Sequence, residues 1–214
     1  LVKKGHYSLG EEIAHSVSHG IGAILSVLGL VLLILRAVEF GDTWQIVCAV
    51  IFGSSLIILY TSSALYHAMV PVKARRVFQI LDHSAIYLLI AGSYTPFLLI
   101  SLRGGWGWSM FGVVWGVSII GIILKSFYAG RFRVLSTILY LALGWLAVIA
   151  IKPMIANVPM NGLLWLLAGG GAYSFGTIFY LRKKMPYHHA IWHLFVLAGS
   201  ACHFKAIYSY LLVG

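Results

Sequence analysis

Of the 214 residues, 61% are hydrophobic and only 9% are charged, and the mean hydropathy is +0.94. A soluble domain carries about 25% charged residues, so a water-soluble fold is excluded. One integral membrane domain, residues 1–214, is expected, without a separate soluble domain. The formal charge of +10 invites a nucleic-acid reading, but the Lys and Arg residues fall in short clusters between apolar runs, as topology signals do, and no nucleic-acid partner is expected.

Seven apolar runs are long enough, at about 20 residues each, to cross a bilayer as helices. They cover residues 14–35, 44–68, 79–101, 107–125, 134–151, 162–181 and 189–212. The connections are short, with Pro71, Gly104-Gly105, Gly130, Pro153, Pro159 and Pro186 among them. No internal repeat, low-complexity linker or cleavable signal peptide is expected, and the fold class is an all-α membrane protein, a seven-transmembrane helix bundle. Cys48 and Cys202 lie inside apolar runs and make neither a disulfide framework nor a thiolate metal site.

The loops set an expected orientation. On one side fall Lys3 and Lys4, then Lys73, Arg75 and Arg76, then Lys125, Arg131 and Arg133, then Arg182, Lys183 and Lys184. The other side has Arg36, Arg103 and Lys152, with Glu39 and Asp42 beside the first. The excess of positive charge places the N-terminus in the cytoplasm and the C-terminus outside.

The unusual polar residues gather at the cytoplasmic end of the spans. In the first span Glu11, His15 and His19 form one stripe at i, i+4 and i+8, with Glu12 adjacent. They have three open roles: a second metal site, completion of a site elsewhere, or capping of the helix start, where acids complement the dipole. Capping and interfacial hydrogen bonding are expected of Glu11 and Glu12, and a supporting role of His19. His67 ends the second span, with Ser63 one turn before it on the same face. Asp82 lies about one turn into the third span and is the only acidic residue in the interior of an expected span.

His189 and His193 open the seventh span, four residues apart, so their imidazoles stand about one turn, roughly 6 Å, apart on one helix face. His67, Asp82, His189 and His193 thus come to one membrane depth from three helices. Polar groups there are costly and usually functional. Three neutral imidazoles suit Zn²⁺, and a His₃ set with an open position is the pattern of catalytic zinc, which makes water available as hydroxide near pH 7. Asp82 would hold that water as a base or ligate directly. The competing view is that such histidines only hydrogen-bond at the interface and that Asp82 pairs with an Arg. Ser63 reads as a supporting or helix-packing hydroxyl, since no nucleophile elbow is present. His203 lies about 15 Å deeper by helical rise, too far to share that metal, and Lys205 has no account beyond snorkelling. Gly169-Gly170-Gly171 lacks the Lys-Ser/Thr of a phosphate loop and reads as close helix packing or a break.

Several stretches resemble the motifs of one family. Ser63-Ala64-Leu65-Tyr66-His67 is similar to the second-span Ser-x-x-x-His of haemolysin III-type proteins, the bacterial branch of the progestin and adipoQ receptor (adiponectin receptor-like) family. Leu81-Asp82-His83-Ser84 with Gly92-Ser93-Tyr94-Thr95-Pro96 resembles its third-span motif. His189-x-x-x-His193 with Cys202-His203-Phe204 resembles the seventh. Glu12-Ile13-Ala14-His15-Ser16-Val17-Ser18-His19 resembles the opening motif, except that His15 stands where Asn is usual. The resemblance implies a seven-helix bundle with a cytoplasm-facing zinc on His67, His189 and His193, Asp82 near the zinc-bound water and Ser63 beside it. It also implies kinship with ceramidase-like membrane hydrolases of lipid amides.

The expected function is therefore a zinc-dependent hydrolase of a lipid amide or ester in a bacterial plasma membrane, with a membrane lipid as substrate or ligand. The alternatives are a lipid-responsive receptor or sensor with structural zinc, and a haemolysin-like pore or transporter.

Overall fold

The computed structural model describes residues 7–212. Among them seven helices are long and apolar enough to cross a membrane, and there is no strand. They are α1 Leu9–Phe40, α2 Thr43–Ala68, α3 Val72–Ser101, α4 Gly105–Tyr128, α5 Arg133–Asn157, α6 Met160–Leu181 and α7 His188–Tyr210. This is the expected all-α seven-helix architecture. Lys3 and Lys4, used above for orientation, lie outside the described residues, as does the chain end at Gly214.

The helices invert the pattern of a soluble bundle. The buried face of α1 is His15, His19, Gly22, Ser26, Gly29, Leu33 and Ala37, spaced by three and four residues. Its outward face carries Ile13, Val17, Ile21, Leu25, Leu28, Leu32 and Leu35, all exposed. Hydrocarbon surroundings accept such side chains, and helix association then depends on close packing of small residues rather than on apolar burial. α2 is the central helix, burying Cys48, Phe52, Leu56, Leu59 and Tyr60 among others. Between α6 and α7 the glycines set the approach. A Cβ on Gly199 would stand 2.8 Å from the Tyr173 ring, and one on Gly176 would meet Phe195 and Trp192 at 2.6 and 2.8 Å. The Gly169–Gly171 run continues the helix, with Gly169 packed against His203, so it serves packing and not a break.

Helix ends differ from expectation in ways that matter for the site. α1 starts at Leu9, not near residue 14, because Ser8 and Glu11 form a reciprocal capping box: Glu11 N–H donates to Ser8 Oγ and Ser8 N–H to Glu11 Oε2. Glu11 and Glu12 are therefore inside the helix, so Asp82 is not the only acidic side chain within a span. Lys125 is not a loop charge. It lies in α4, buried, and its Nζ donates to Ser136 Oγ on α5. Pro153 does not mark a connection either. α5 is helical to Gly144, tightens to a 3-10 stretch over Trp145–Ala150 and resumes over Ile151–Asn157, which contains Pro153. The Tyr94 hydroxyl fills this irregular stretch, lying 3.1 and 2.7 Å from the carbonyl oxygens of Leu143 and Gly144 and accepting from Ala147 N–H at 2.8 Å. α3 passes through Pro96 into a π-helical turn, Phe97–Ser101.

One end of the bundle is tied together by polar contacts. Glu12 on α1 accepts from Arg75 on α3, Glu11 Oε1 accepts from Tyr187 N–H just before α7, and Arg76 donates to the Ala129 carbonyl after α4. The opposite end is tied by Arg36 Nε donating to the Leu212 carbonyl and Gln45 Nε2 to that of Leu211.

Candidate metal centre

The basic, tied end of the bundle holds a cluster of buried imidazoles. His67 comes from the last turn of α2, and His189 and His193 from the first two turns of α7. His15 and His19 come from the inward stripe of α1. One ligand atom each from His67, His189 and His193 lies within 4.8 Å of the others. The ring centroids of these three are 4.7–5.3 Å apart.

Hydrogen bonds set which nitrogen faces inward. His67 Nδ1 stands 2.7 Å from Glu12 Oε2, and a carboxylate only accepts, so Nδ1 carries the proton and Nε2 the lone pair. His67 Nε2 is buried and has no hydrogen-bond partner among the described residues. His193 Nδ1 lies 3.2 Å from the His15 carbonyl and 3.1 Å from Ser18 Oγ; the carbonyl can only accept, which again leaves Nε2 with its lone pair. His189 Nδ1 is likewise buried and without a partner among the described residues. Anchoring the outer ring nitrogen on a carboxylate or carbonyl is how metal-binding histidines are commonly oriented. Each unpartnered buried nitrogen costs about 1–3 kcal/mol unless something binds it. Lone pairs of neutral imidazoles turned to one point, with no competing donor, fit a borderline divalent cation.

Glu12 hydrogen-bonds at this end of the bundle, as expected, but does not cap α1. In the fold it bridges three helices, with Oε2 on His67 and Oε1 on Arg75. Glu11 does the capping. His19 stacks on His193, with ring centroids 3.5 Å apart and planes at 8°, and meets the Tyr60 ring edge-on, so it buttresses the His193 ring. His15 is fully buried and stands 4.6, 4.9 and 5.4 Å, centroid to centroid, from His67, His189 and His193. Tyr7 covers the cluster just before α1, stacking on His189 at 5.5 Å. Burial pushes its hydroxyl up to about 12 against the pull of Arg133, so it remains a neutral donor at pH 7.

Beside the histidines opens a cavity of about 570 Å³ between α2, α3, α5, α6 and α7. Ser63, Asp82, His189 and His193 all line it. Asp82 is partly buried there, its Oδ2 3.5 Å from His83 Nδ1, and among the described residues it forms no ion pair with an Arg. Ile86, Leu163 and Trp192 also line the cavity, as does His203, which is buried against Tyr173 and takes no part in the histidine cluster. Lys205 is exposed. Cys48 and Cys202 are both free thiols.

With this geometry in hand, comparison with known proteins is informative. A family model described as haemolysin-III related matches residues 7–204. The chain is 48% identical to the Hemolysin-3 homolog of Bacillus subtilis (strain 168) over 95% of this chain and 96% of that protein. It is 50% identical to Hemolysin-3 of Bacillus cereus over 94% of this chain and 92% of that one. Monocyte to macrophage differentiation factor of Homo sapiens is 30% identical over 94% of this chain and 84% of its own length.

Proposed function

The chain belongs to the haemolysin-III-related family of integral membrane proteins, and from that premise we propose that it is a zinc-dependent hydrolase of a membrane lipid amide or ester. The observation that carries the proposal is the set of three inward imidazoles, two of which, His189 and His193, line a largely apolar cavity that also holds the Asp82 carboxylate. His67, His189 and His193 hold the metal. When bound, Zn²⁺ supplies Lewis acidity, polarising an acyl carbonyl and lowering the pKa of water.

The chain's own residues do the rest. The apolar wall around Ile86, Leu163 and Trp192 takes the acyl chain and excludes bulk water. Asp82 accepts a proton from the attacking water and passes it to the leaving nitrogen or oxygen. The acyl C–N or C–O bond breaks, the water oxygen joins the acyl carbon, and the products are a carboxylate and a free amine or alcohol. Lys125, Arg131, Arg133 and Lys183 also line the cavity and suit a product that leaves as an anion. Ser63, buried one turn before His67, orients groups near Asp82 and is not a nucleophile. By the distribution of Lys and Arg the site faces the cytoplasm, and the membrane is a bacterial plasma membrane.

Purified protein in detergent or liposomes is expected to release free fatty acid from a ceramide or an acyl ester, and His193→Ala to abolish release. Turnover that survives His193→Ala contradicts the mechanism. A second reading, a lipid-responsive receptor with structural zinc, is favoured by how enclosed the centre is, with His67 at 4% and His193 at 1% exposure. Saturable lipid binding without turnover selects it.

A further inference from the structure

His15 has no assigned role. It is fully buried, and neither of its ring nitrogens has a hydrogen-bond partner among the described residues. It also forms a second close group, with Glu12 and His67, in which one ligand atom from each lies within 4.8 Å of the others. That group is a poor independent cation site. Glu12 Oε2 is engaged by His67 Nδ1 at 2.7 Å and Oε1 by Arg75, and His15 Nδ1 stays 3.8 Å from Oε2. Both groups also need the same His67 ring. The unpartnered Nε2 of His67 already belongs to the three-histidine set, which leaves the two ring nitrogens of His15 as the capacity that no other reading uses.

We propose that His15 is a fourth imidazole ligand of the cation held by His67, His189 and His193. This rests on the metal centre of the preceding reading and goes beyond it in the ligand set. The argument is geometric. A tetrahedral zinc with four imidazoles has Zn–N of about 2.0–2.1 Å, and each ring centre lies roughly 1.2 Å beyond its nitrogen, so the centroids stand about 5.2 Å apart along all six edges. The observed edges are 4.6, 4.9 and 5.4 Å from His15, and 5.2, 5.3 and 4.7 Å among the other three. The four rings already sit at the corners of such a tetrahedron. His15 is grouped by ligand-atom distance with Glu12 and His67 and not with His189 and His193, so its ring must reorient for a fourth nitrogen to converge.

The ligand set has a functional consequence. Four-nitrogen zinc is a closed site, whereas catalytic zinc keeps one position open. With His15 bound, the resting centre is closed. Hydrolysis then requires His15 to leave when substrate and water arrive, and a receptor would keep it in place.

The test uses full-length purified protein with Zn²⁺ and Co²⁺ as probes. X-ray absorption at the zinc edge is expected to count four imidazole nitrogens in the wild type. Three nitrogens plus an oxygen overturns the proposal without any variant. Co²⁺ titration is expected to give intense four-coordinate visible bands in the wild type and in His203→Asn, which removes a buried histidine outside the cluster. In His15→Asn the bands should be weaker and shifted, and affinity should fall at least about tenfold. A His15→Asn protein with unchanged affinity and spectrum overturns the role of His15 while leaving the three-histidine centre intact. Failure of the wild type to bind either ion, or unchanged binding in His67→Ala, removes the centre itself and this proposal with it.

Discussion

At the scale of single residues, the histidines of the proposed centre are held in orientation by hydrogen bonds to their outer ring nitrogens. Glu12 holds His67 by Nδ1, and the His15 carbonyl holds His193 by Nδ1. Glu12→Gln keeps the shape but removes the charge that engages both His67 and Arg75. Metal affinity is expected to fall about 10- to 100-fold, as when other outer-shell carboxylates are lost. Competition with a chelator of known affinity measures this, and an unchanged dissociation constant would mean that Glu12 only ties helices together. The clustering of His67, His189 and His193 was readable from sequence because two one-dimensional signals coincide there: the four-residue spacing of His189 and His193, and the shared depth of His67 at the end of its apolar run. Glu12 and His15 were not readable in the same way. Their roles depend on which face α1 turns toward α2 and α7, and on a helix start that a Ser8–Glu11 cap sets about five residues before the apolar run begins.

At the scale of elements, the site is only as exact as the seating of α7, which carries two of the three histidines. That seating depends on glycines. Gly176→Leu on α6 would drive a side chain into Phe195 and Trp192, and overpacking of this kind costs about 1–3 kcal/mol. Both the melting temperature in detergent and metal affinity are expected to drop together. A lowered melting temperature with full metal affinity would show that α7 can shift without disturbing its histidines. The seven helices were legible because apolar runs of span length are a strong signal. The interior of α5 was legible only in part: Pro153 signals an interruption, but that the helix resumes through it, with the Tyr94 hydroxyl of α3 satisfying backbone groups of the 3-10 stretch, depends on a tertiary partner. The burial of Lys125 was hidden for the same reason: its partner, Ser136, lies on another helix.

At the scale of the molecule, the account joins a membrane orientation to a metal centre. Lys125 drops out of the loop charges, yet Lys73, Arg75, Arg76, Arg131, Arg182, Lys183 and Lys184 still crowd the end that holds the histidines. A topology reporter fused after Gly214 is therefore expected to read as external, and a cytoplasmic signal would invert the site's orientation. The most direct test of the central claim is the metal content of the purified protein beside its His67→Ala, His189→Ala and His193→Ala variants. The account predicts about one zinc per chain in the wild type and loss of it in each of the three variants, with helicity retained. Zinc that persists in any one of them, or a folded wild type that binds none under zinc-replete conditions, would contradict it.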